Sequence, residues 1–459
     1  MATLGVFNPA TGRRIATLPA DDDARVREKY QAARAVQPAW AALPLSHRLQ
    51  AIAAFRAGIV ARTEELAHTL TTETGKPITQ SRNELKGLLP RLDFFLEEAP
   101  RALRRETVLN DRKSRLVESI SHEPLGVVAN ISAWNYPYFV GSNVFIPALL
   151  AGNAVLYKPS EFAPQTGLLI ARLLHESGVP EGVFVPLIGA GEVGTTLLRQ
   201  PIDGVFFTGS VATGKKIARL VAGRMIKVQL ELGGKDPVYV CEDVDVASTA
   251  AAVADGAFYN TGQSCCSAER IYVHAAIFED FVAAFTATVK AFKIGDPLED
   301  DTYIGPLTRA PQIDVLEAQM ADARNKGARV LTGGKRLRGR GSYFAPAVLI
   351  DVNHRMALMR EESFGPIIGL MAVRDDAQAV KLMNDTDYGL TAAVYTPDAK
   401  RARAILEQVN AGSAYWNCCD RVSPRLPWSG RQNSGIGLTL SRDGIKAFTR
   451  PKAWHLRET

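Results

Sequence analysis

Gly204-Val205-Phe206-Phe207-Thr208-Gly209-Ser210-Val211-Ala212-Thr213-Gly214-Lys215 reads as an apolar strand, a glycine turn and a helix that begins near Ala212. The free N–H groups and the dipole at such a helix start attract anions, so the stretch suits a pyrophosphate. Its spacing is GxxxxG rather than GxGxxG, and Lys216 follows Lys215 where a Walker sequence needs Ser or Thr. A purely structural strand, turn and helix fits the same residues. The texture recurs on both sides. Short β-rich runs at Val127–Ile131, Ala154–Tyr157, Val183–Ile188, Gly204–Phe207 and Lys227–Glu231 alternate with helical segments, and a second such series runs from Pro237 to about Val394. Strands alternating with helices predict an α/β fold on parallel sheets. Upstream, Asp22–Ala42 and Ser46–Thr72 carry apolar residues at helical spacing, with Ser46 in the N-cap position. The tail Lys452–Leu456 reads as a short strand that adds to a partner or to another sheet.

A chain of 459 residues exceeds one ordinary domain, so two or three lobes are expected. Its 46% hydrophobic and 22% charged residues are those of a globular protein. The formal charge of +6 is mild over this length. Arg101–Arg105 and Arg336–Arg340 have no interleaved aromatics and read as solvated surface, so neither nucleic acid nor membrane is expected as a partner. Five cysteines include the adjacent pairs Cys265–Cys266 and Cys418–Cys419, with no CxxC pattern and no Cys/His spacing for zinc. A reducing, cytoplasmic setting without disulfides or a metal is expected. Asn8-Pro9-Ala10-Thr11-Gly12 is a turn, with no apolar signal core. Gly126–Tyr157 carries no charge and is long enough to span a bilayer, yet Asn130, Asn135, Pro137, Asn143 and Pro147 interrupt it. Unpaired polar groups are costly in lipid, so a buried strand–loop–helix–strand passage is expected.

Four further stretches carry residues suited to chemistry. Leu156-Tyr157-Lys158-Pro159-Ser160-Glu161 ends an apolar strand, where ligands of open α/β sheets bind, and its Lys and Glu suit ribose hydroxyls. A surface turn with a helix cap fits equally. Asn260-Thr261-Gly262-Gln263-Ser264-Cys265-Cys266 offers a cysteine in a turn, suited to an activated thiolate. The bland alternative, a small buried hydrophobe, is what most free cysteines are. Gln229-Leu230-Glu231-Leu232-Gly233-Gly234-Lys235 sets a carboxylate at a strand end, where apolar neighbours would raise its pKa toward a general base's range, unless it is an exposed strand-end Glu. Ser132-Ala133-Trp134-Asn135-Tyr136-Pro137 holds an amide among aromatics, suited to an oxyanion donor or to a structural turn.

Trp134-Asn135-Tyr136-Pro137, Lys158-Pro159-Ser160-Glu161, Phe207-Thr208-Gly209-Ser210, Glu231-Leu232-Gly233-Gly234-Lys235, Gly262-Gln263-Ser264-Cys265 and Glu361-Glu362-Ser363-Phe364-Gly365-Pro366 stand in the order seen in the aldehyde dehydrogenase superfamily, which the chain resembles from Asn8-Pro9 to Phe448-Thr449. One segment departs: Pro427-Trp428-Ser429-Gly430-Arg431-Gln432-Asn433-Ser434-Gly435 has Gln432 where the family has Lys.

The resemblance implies an α/β fold with a Rossmann-type nucleotide-binding domain (residues 1–112 and 132–233), an α/β catalytic domain (234–444) and a small β oligomerisation flap (113–131 and 445–459) that makes a homodimer or homotetramer. It implies oxidation of an aldehyde to the acid with NAD, or alternatively NADP. Cys265 matches the nucleophile, Asn135 the oxyanion donor and Glu231 the base. Lys158 and Glu161 match the adenosine-ribose contacts, Gly209 and Ser210 the pyrophosphate contacts, Glu362 the nicotinamide-ribose contact, and Trp134 and Phe364 the walls of the cofactor site. Arg421 and Arg425 fall in the family's substrate loop, where one of them would clamp a semialdehyde carboxylate unless both simply pair with Asp420 or face water. Alternatives within the resemblance are a CoA-acylating semialdehyde dehydrogenase and a catalytically silent scaffold.

Overall fold

The computed structural model describes residues 2–458. Two parallel sheets organise it. The first runs in the order Gly435–Ile436, Lys227–Glu231, Gly204–Thr208, Val127–Ile131, Ala154–Lys158, Phe184–Pro186, all parallel except the first. Val127–Ile131 and Ala154–Lys158 are buried at every residue, as strands covered on both faces must be. The chain steps from Val127–Ile131 outward to one side through Ala154–Lys158 and Phe184–Pro186. It then returns to place Gly204–Thr208 on the other side. The switch point therefore lies between Val127–Ile131 and Gly204–Thr208, and ligands of open α/β sheets bind in the crevice beyond such a point. The segments leaving that crevice are Ser132–Asn135 and Gly209–Ser210.

The second sheet has seven strands, in the order Arg329–Thr332, Ala347–Ile350, Ile367–Val373, Ala268–His274, Asp236–Val240, Thr391–Tyr395, Ser413–Trp416. All are parallel but the first. A three-stranded antiparallel sheet joins Glu106–Asp111, Leu116–Pro124 and Thr449–Arg457, and Thr3–Phe7 pairs with Arg14–Pro19.

Several expected boundaries move. The tail strand is longer than Lys452–Leu456 and pairs along its whole length with Leu116–Pro124 of its own chain. Strand pairing ends the small sheet at Pro124, not at residue 131, because Val127–Ile131 is a fully buried strand of the first sheet. Glu106–Asp111, expected in the nucleotide-binding segment, pairs in the small sheet instead. Ser46 is not an N-cap. The helix begins at Leu45 behind Pro44, and the expected single helix breaks at Arg62 (φ −118°) into Leu45–Ala61 and Thr63–Thr74. There Thr63 Oγ1 donates to the carbonyls of Ile59 and Val60, the local competition by which hydroxyls interrupt helices.

The charge-free run folds as strand, helix Pro137–Leu150 and strand. Nearly every residue of that helix is buried. Among the described residues no helix is long and apolar enough to cross a membrane. The arginines of 101–105 and 336–340 are exposed.

Candidate active site

The cysteine loop begins where the helix Val246–Phe258 ends. Asn260, Thr261 and Gly262 follow with φ of 53°, 58° and 71°. Left-handed geometry at Asn260 and Thr261 costs roughly 1–3 kcal/mol each and persists only where neighbours over-determine it. They do here. Gln80 Oε1 accepts the Asn260 N–H at 2.8 Å, and Thr308 N–H donates to Gln263 Oε1 at 3.0 Å. A Cβ on residue 262 would stand 2.5 Å from the Gly365 carbonyl oxygen, so only glycine fits. The turn delivers Cys265, half-buried, and Cys266, buried, to one cavity of about 280 Å³.

The two cysteines differ in their surroundings. Cys266 Sγ donates to Asp420 Oδ1 at 3.0 Å, and Ser264 Oγ donates to the same oxygen at 2.9 Å. A hydrogen bond with Cys265, burial and the Asp420 charge push the Cys266 thiol well above the usual range. Cys266 is therefore a protonated thiol held by its partner, and Cys265 is the more open sulfur.

Asn135 is buried beside this loop. Its Nδ2 donates to the Gln263 carbonyl at 3.1 Å, and Asn260 Nδ2 donates to the carbonyl of Asn135 at 3.3 Å. A primary amide has two N–H donors, so one remains beyond the Gln263 bond. The helix that follows, Pro137–Leu150, is fixed at its start by Glu84, which accepts from the N–H groups of Tyr138 (2.9 Å) and Phe139 (3.3 Å). Buried Lys76 pairs with the same carboxylate.

Glu231 ends its strand and is buried. Thr439 Oγ1 donates to one carboxyl oxygen, and Thr208 Oγ1 donates to the other at 3.4 Å. Burial raises its pKa to about 7, against the Thr439 hydrogen bond and the Arg91 charge, which both lower it. Glu231 is not in the wall of the cysteine cavity; Arg91, Glu84 and Tyr136 are.

The residues expected at a nucleotide gather at the first sheet's switch point. Ser210 caps the helix Val211–Val221 by accepting from Thr213 N–H, one residue earlier than the expected start. A Cβ at Gly209 would meet the Phe207 ring at 2.5 Å, so the turn needs glycine. Lys158 is buried, donates to the Pro159 carbonyl at 3.1 Å and lies 3.9 Å from the partly exposed Glu161. Trp134 packs edge-on against Phe364, ring centroids 5.6 Å apart. Gly234 N–H donates to Glu362 Oε1 at 3.1 Å, and burial raises the Glu362 pKa to about 8. A Cβ on Gly233 would stand 2.2 Å from that carboxylate. Helix start, glycine turn, buried lysine and strand-end carboxylates together fit a dinucleotide at the crevice.

The residues that hold this frame are partly ones that motif reading passes over. Glu269 accepts from the N–H groups of Ser363 and Phe364, each at 3.0 Å, and pairs with buried Lys235 at 2.5 Å. Arg91 and Glu84 likewise carry no local signal, and Asp420, whose neighbours suggest only a partner for Arg421 or Arg425, accepts from Ser264 and Cys266 instead. Of the two candidate arginines, Arg421 lines the cysteine cavity, its Nη1 donating to the Asp420 carbonyl at 3.2 Å. Arg425 is exposed and is not part of that wall.

A sequence model described as "Aldehyde dehydrogenase family" matches residues 2–454. A lactaldehyde dehydrogenase of Escherichia coli (strain K12) is 34% identical over 459 residues, 99% of this chain and 95% of that protein. A succinate-semialdehyde dehydrogenase, NADP(+), of Deinococcus radiodurans is 34% identical over 446 residues, 97% of this chain and 93% of that protein. The crystal structure of an NAD-dependent aldehyde dehydrogenase from Sinorhizobium meliloti superposes with a TM-score of 0.96 at 32% identity, covering 99% of this chain and 91% of that one.

Proposed function

The chain belongs to the aldehyde dehydrogenase family, and from that premise we propose that it oxidises an aldehyde to the carboxylic acid through a thioester on Cys265, with NAD or alternatively NADP as acceptor. The observation that carries the assignment of the sulfur is the left-handed turn at Asn260–Gly262, which opens Cys265 to the cavity while Cys266 stays bonded to Asp420.

The Cys265 thiolate adds to the aldehyde carbon. The remaining N–H of Asn135 and the backbone N–H of Cys265 stabilise the oxyanion, each worth about 3 kcal/mol by analogy with other oxyanion holes. Bound nicotinamide dinucleotide supplies the hydride acceptor. Glu231, poised near neutrality, takes the proton of the water that attacks the thioester, and Cys265 leaves as the thiolate. Lys158 and Glu161 hold the adenosine ribose, Gly209 and Ser210 the pyrophosphate, and Glu362 the nicotinamide ribose. Trp134 and Phe364 line the cofactor site.

The first sheet serves as the nucleotide-binding domain and the second as the catalytic domain. The small sheet is the oligomerisation flap of a homodimer or homotetramer; Thr449–Arg457 is an edge strand with unpaired backbone groups, which supports that role. Five free cysteines fit a reducing cytoplasm. The test is a panel of aldehydes assayed by NADH absorbance, with and without iodoacetamide and CoA. Iodoacetamide-sensitive NADH with free acid as product supports the reading. No NADH with any aldehyde, or an obligatory need for CoA, removes it.

Glu161 predicts the cofactor preference. Its carboxylate accepts from ribose hydroxyls, whereas a 2′-phosphate would meet a like charge in a partly dry site. Glu161→Ser is expected to cut the NAD-over-NADP ratio of kcat/KM by about tenfold, or ~1.4 kcal/mol. Equal kcat/KM for both cofactors in the wild type would refute the role.

Arg421, in the cavity wall, supports an aldehyde with an acidic far end. Arg421→Ala is expected to cost succinic semialdehyde about ten- to a hundredfold in kcat/KM, the worth of a charge-assisted hydrogen bond of ~1.5–3 kcal/mol, and to spare butanal. Arg425→Ala, outside the wall, should cost neither. Equal losses on both aldehydes in Arg421→Ala would remove the acidic-substrate reading.

A further inference from the structure

Arg91, on the helix Ile78–Leu103, is the cavity's second guanidinium, and it is 4% exposed. Four other buried cations among the described residues are well satisfied, and Lys158, at the nucleotide crevice, has one carbonyl acceptor and a carboxylate 3.9 Å away. Lys76 and Lys235 pair with Glu84 and Glu269, Arg48 donates to four backbone carbonyls, and Arg270 donates to five oxygens. Among the described residues Arg91 has one side-chain acceptor, the neutral amide oxygen of Asn143 at 2.7 Å, and its buried Nε has none. The Phe139 ring lies 4.3 Å from its guanidinium carbon. No carboxylate among the described residues comes within ion-pair distance of it. Burying a cation with so few partners is costly, and burial pulls its pKa down to about 10 even against the raising charges of Glu231, Glu84 and Cys266. A cation left this way in the wall of a reaction cavity is matched by a ligand that brings the missing anion.

We infer that Arg91 binds the anionic far end of the aldehyde and, in doing so, withdraws its charge from Glu231. The inference rests on the reading of Glu231 as the base. The groups facing Glu231 are Thr439, Thr208, Gln229 of its own strand, and Arg91. Of these Arg91 alone is charged. The groups acting on Arg91 in turn are Glu231, Glu84 and the Cys266 thiol. Glu84 is already committed to Lys76 and to two backbone N–H groups. A substrate carboxylate on Arg91 therefore competes mainly with Glu231 for its field. With a neutral aldehyde, Arg91 holds Glu231 toward the ionised form. With an acid-terminated one, that help is neutralised and the base needs a higher pH. The cavity of about 280 Å³ is small and suits a short aldehyde rather than a bulky one.

The test uses the holoenzyme with succinic semialdehyde and with butanal. In the wild type, the acid limb of the steady rate after the NADH burst should lie at higher pH for succinic semialdehyde. In Arg91→Lys, which keeps the charge but loses the planar fork, kcat/KM for succinic semialdehyde should fall at least tenfold further than for butanal. Coincident limbs in the wild type, or equal losses in Arg91→Lys, overturn the proposal. If the variant does not fold, the wild-type limbs alone decide. Butanal turnover dependent on Cys265 survives either outcome, so failure here is distinct from failure of the thioester reading.

Discussion

Cys265→Ala is expected to abolish aldehyde-dependent NADH formation and to leave NAD binding in place, whereas Cys266→Ala should keep substantial turnover. The loss expected for Cys265→Ala is at least ~10⁴-fold in kcat, the scale seen when a covalent nucleophile is removed from other enzymes. The asymmetry follows from the loop. Cys265 reaches the cavity half-exposed. Cys266 spends its hydrogen on Asp420, and burial, its contact with Cys265 and the adjacent carboxylate all oppose its thiolate. A thiol so held is a poor nucleophile, because the thiolate is the attacking species. Neither substitution touches the switch-point residues, so nucleotide binding, read by fluorescence quenching, should be unchanged in both. A dead Cys266→Ala beside an active Cys265→Ala would shift the nucleophile by one position and overturn the reading.

The second large effect falls on Glu231→Gln. NADH should still appear in a rapid burst, because adding the thiolate and losing hydride do not require this carboxylate, while steady turnover drops by ~10²–10⁴-fold, the typical contribution of a general base. In the wild type, burial holds Glu231 at about 7. It is then protonated below that pH and unable to accept the water's proton. The steady rate should accordingly fall as pH drops through about 7, with the burst amplitude preserved. Glutamine keeps the shape and can still accept the Thr439 hydrogen bond, which isolates the lost basicity from a lost contact. A variant without any burst would mean that Glu231 serves acylation, and the deacylation role would be withdrawn.

The local sequence was enough for the parts of this protein that depend on neighbours close in the chain. Val127–Ile131 and Lys227–Glu231 match their expected limits residue for residue, the first as a β-forming run buried on both faces of a parallel sheet, the second because its polar and apolar residues alternate at the strand period. Ser210 and Gly209 announce the helix start, since capping and positive or crowded backbone geometry are chemistry within three or four residues. Cys265, Asn135 and Glu231 become candidates through the resemblance that the six ordered motifs carry, because each stretch by itself also fits a structural role.

Tertiary structure alone decided the rest. Nothing near Arg421 and Arg425 tells which one turns toward the cavity. Arg91, Glu84 and Asp420 reach the wall of the cysteine cavity, and the bonds they make span 52 to 156 positions of chain. Glu269 holds the Ser363–Phe364 turn across more than ninety. Their influence is electrostatic, and it falls with distance through space and with exposure to water rather than with separation along the chain. A sequence therefore shows which side chains are capable of ionising. Only the folded packing, by removing water and setting the distances, decides that Glu231 titrates near neutrality, that Cys266 stays protonated and that Arg91 is left without its anion.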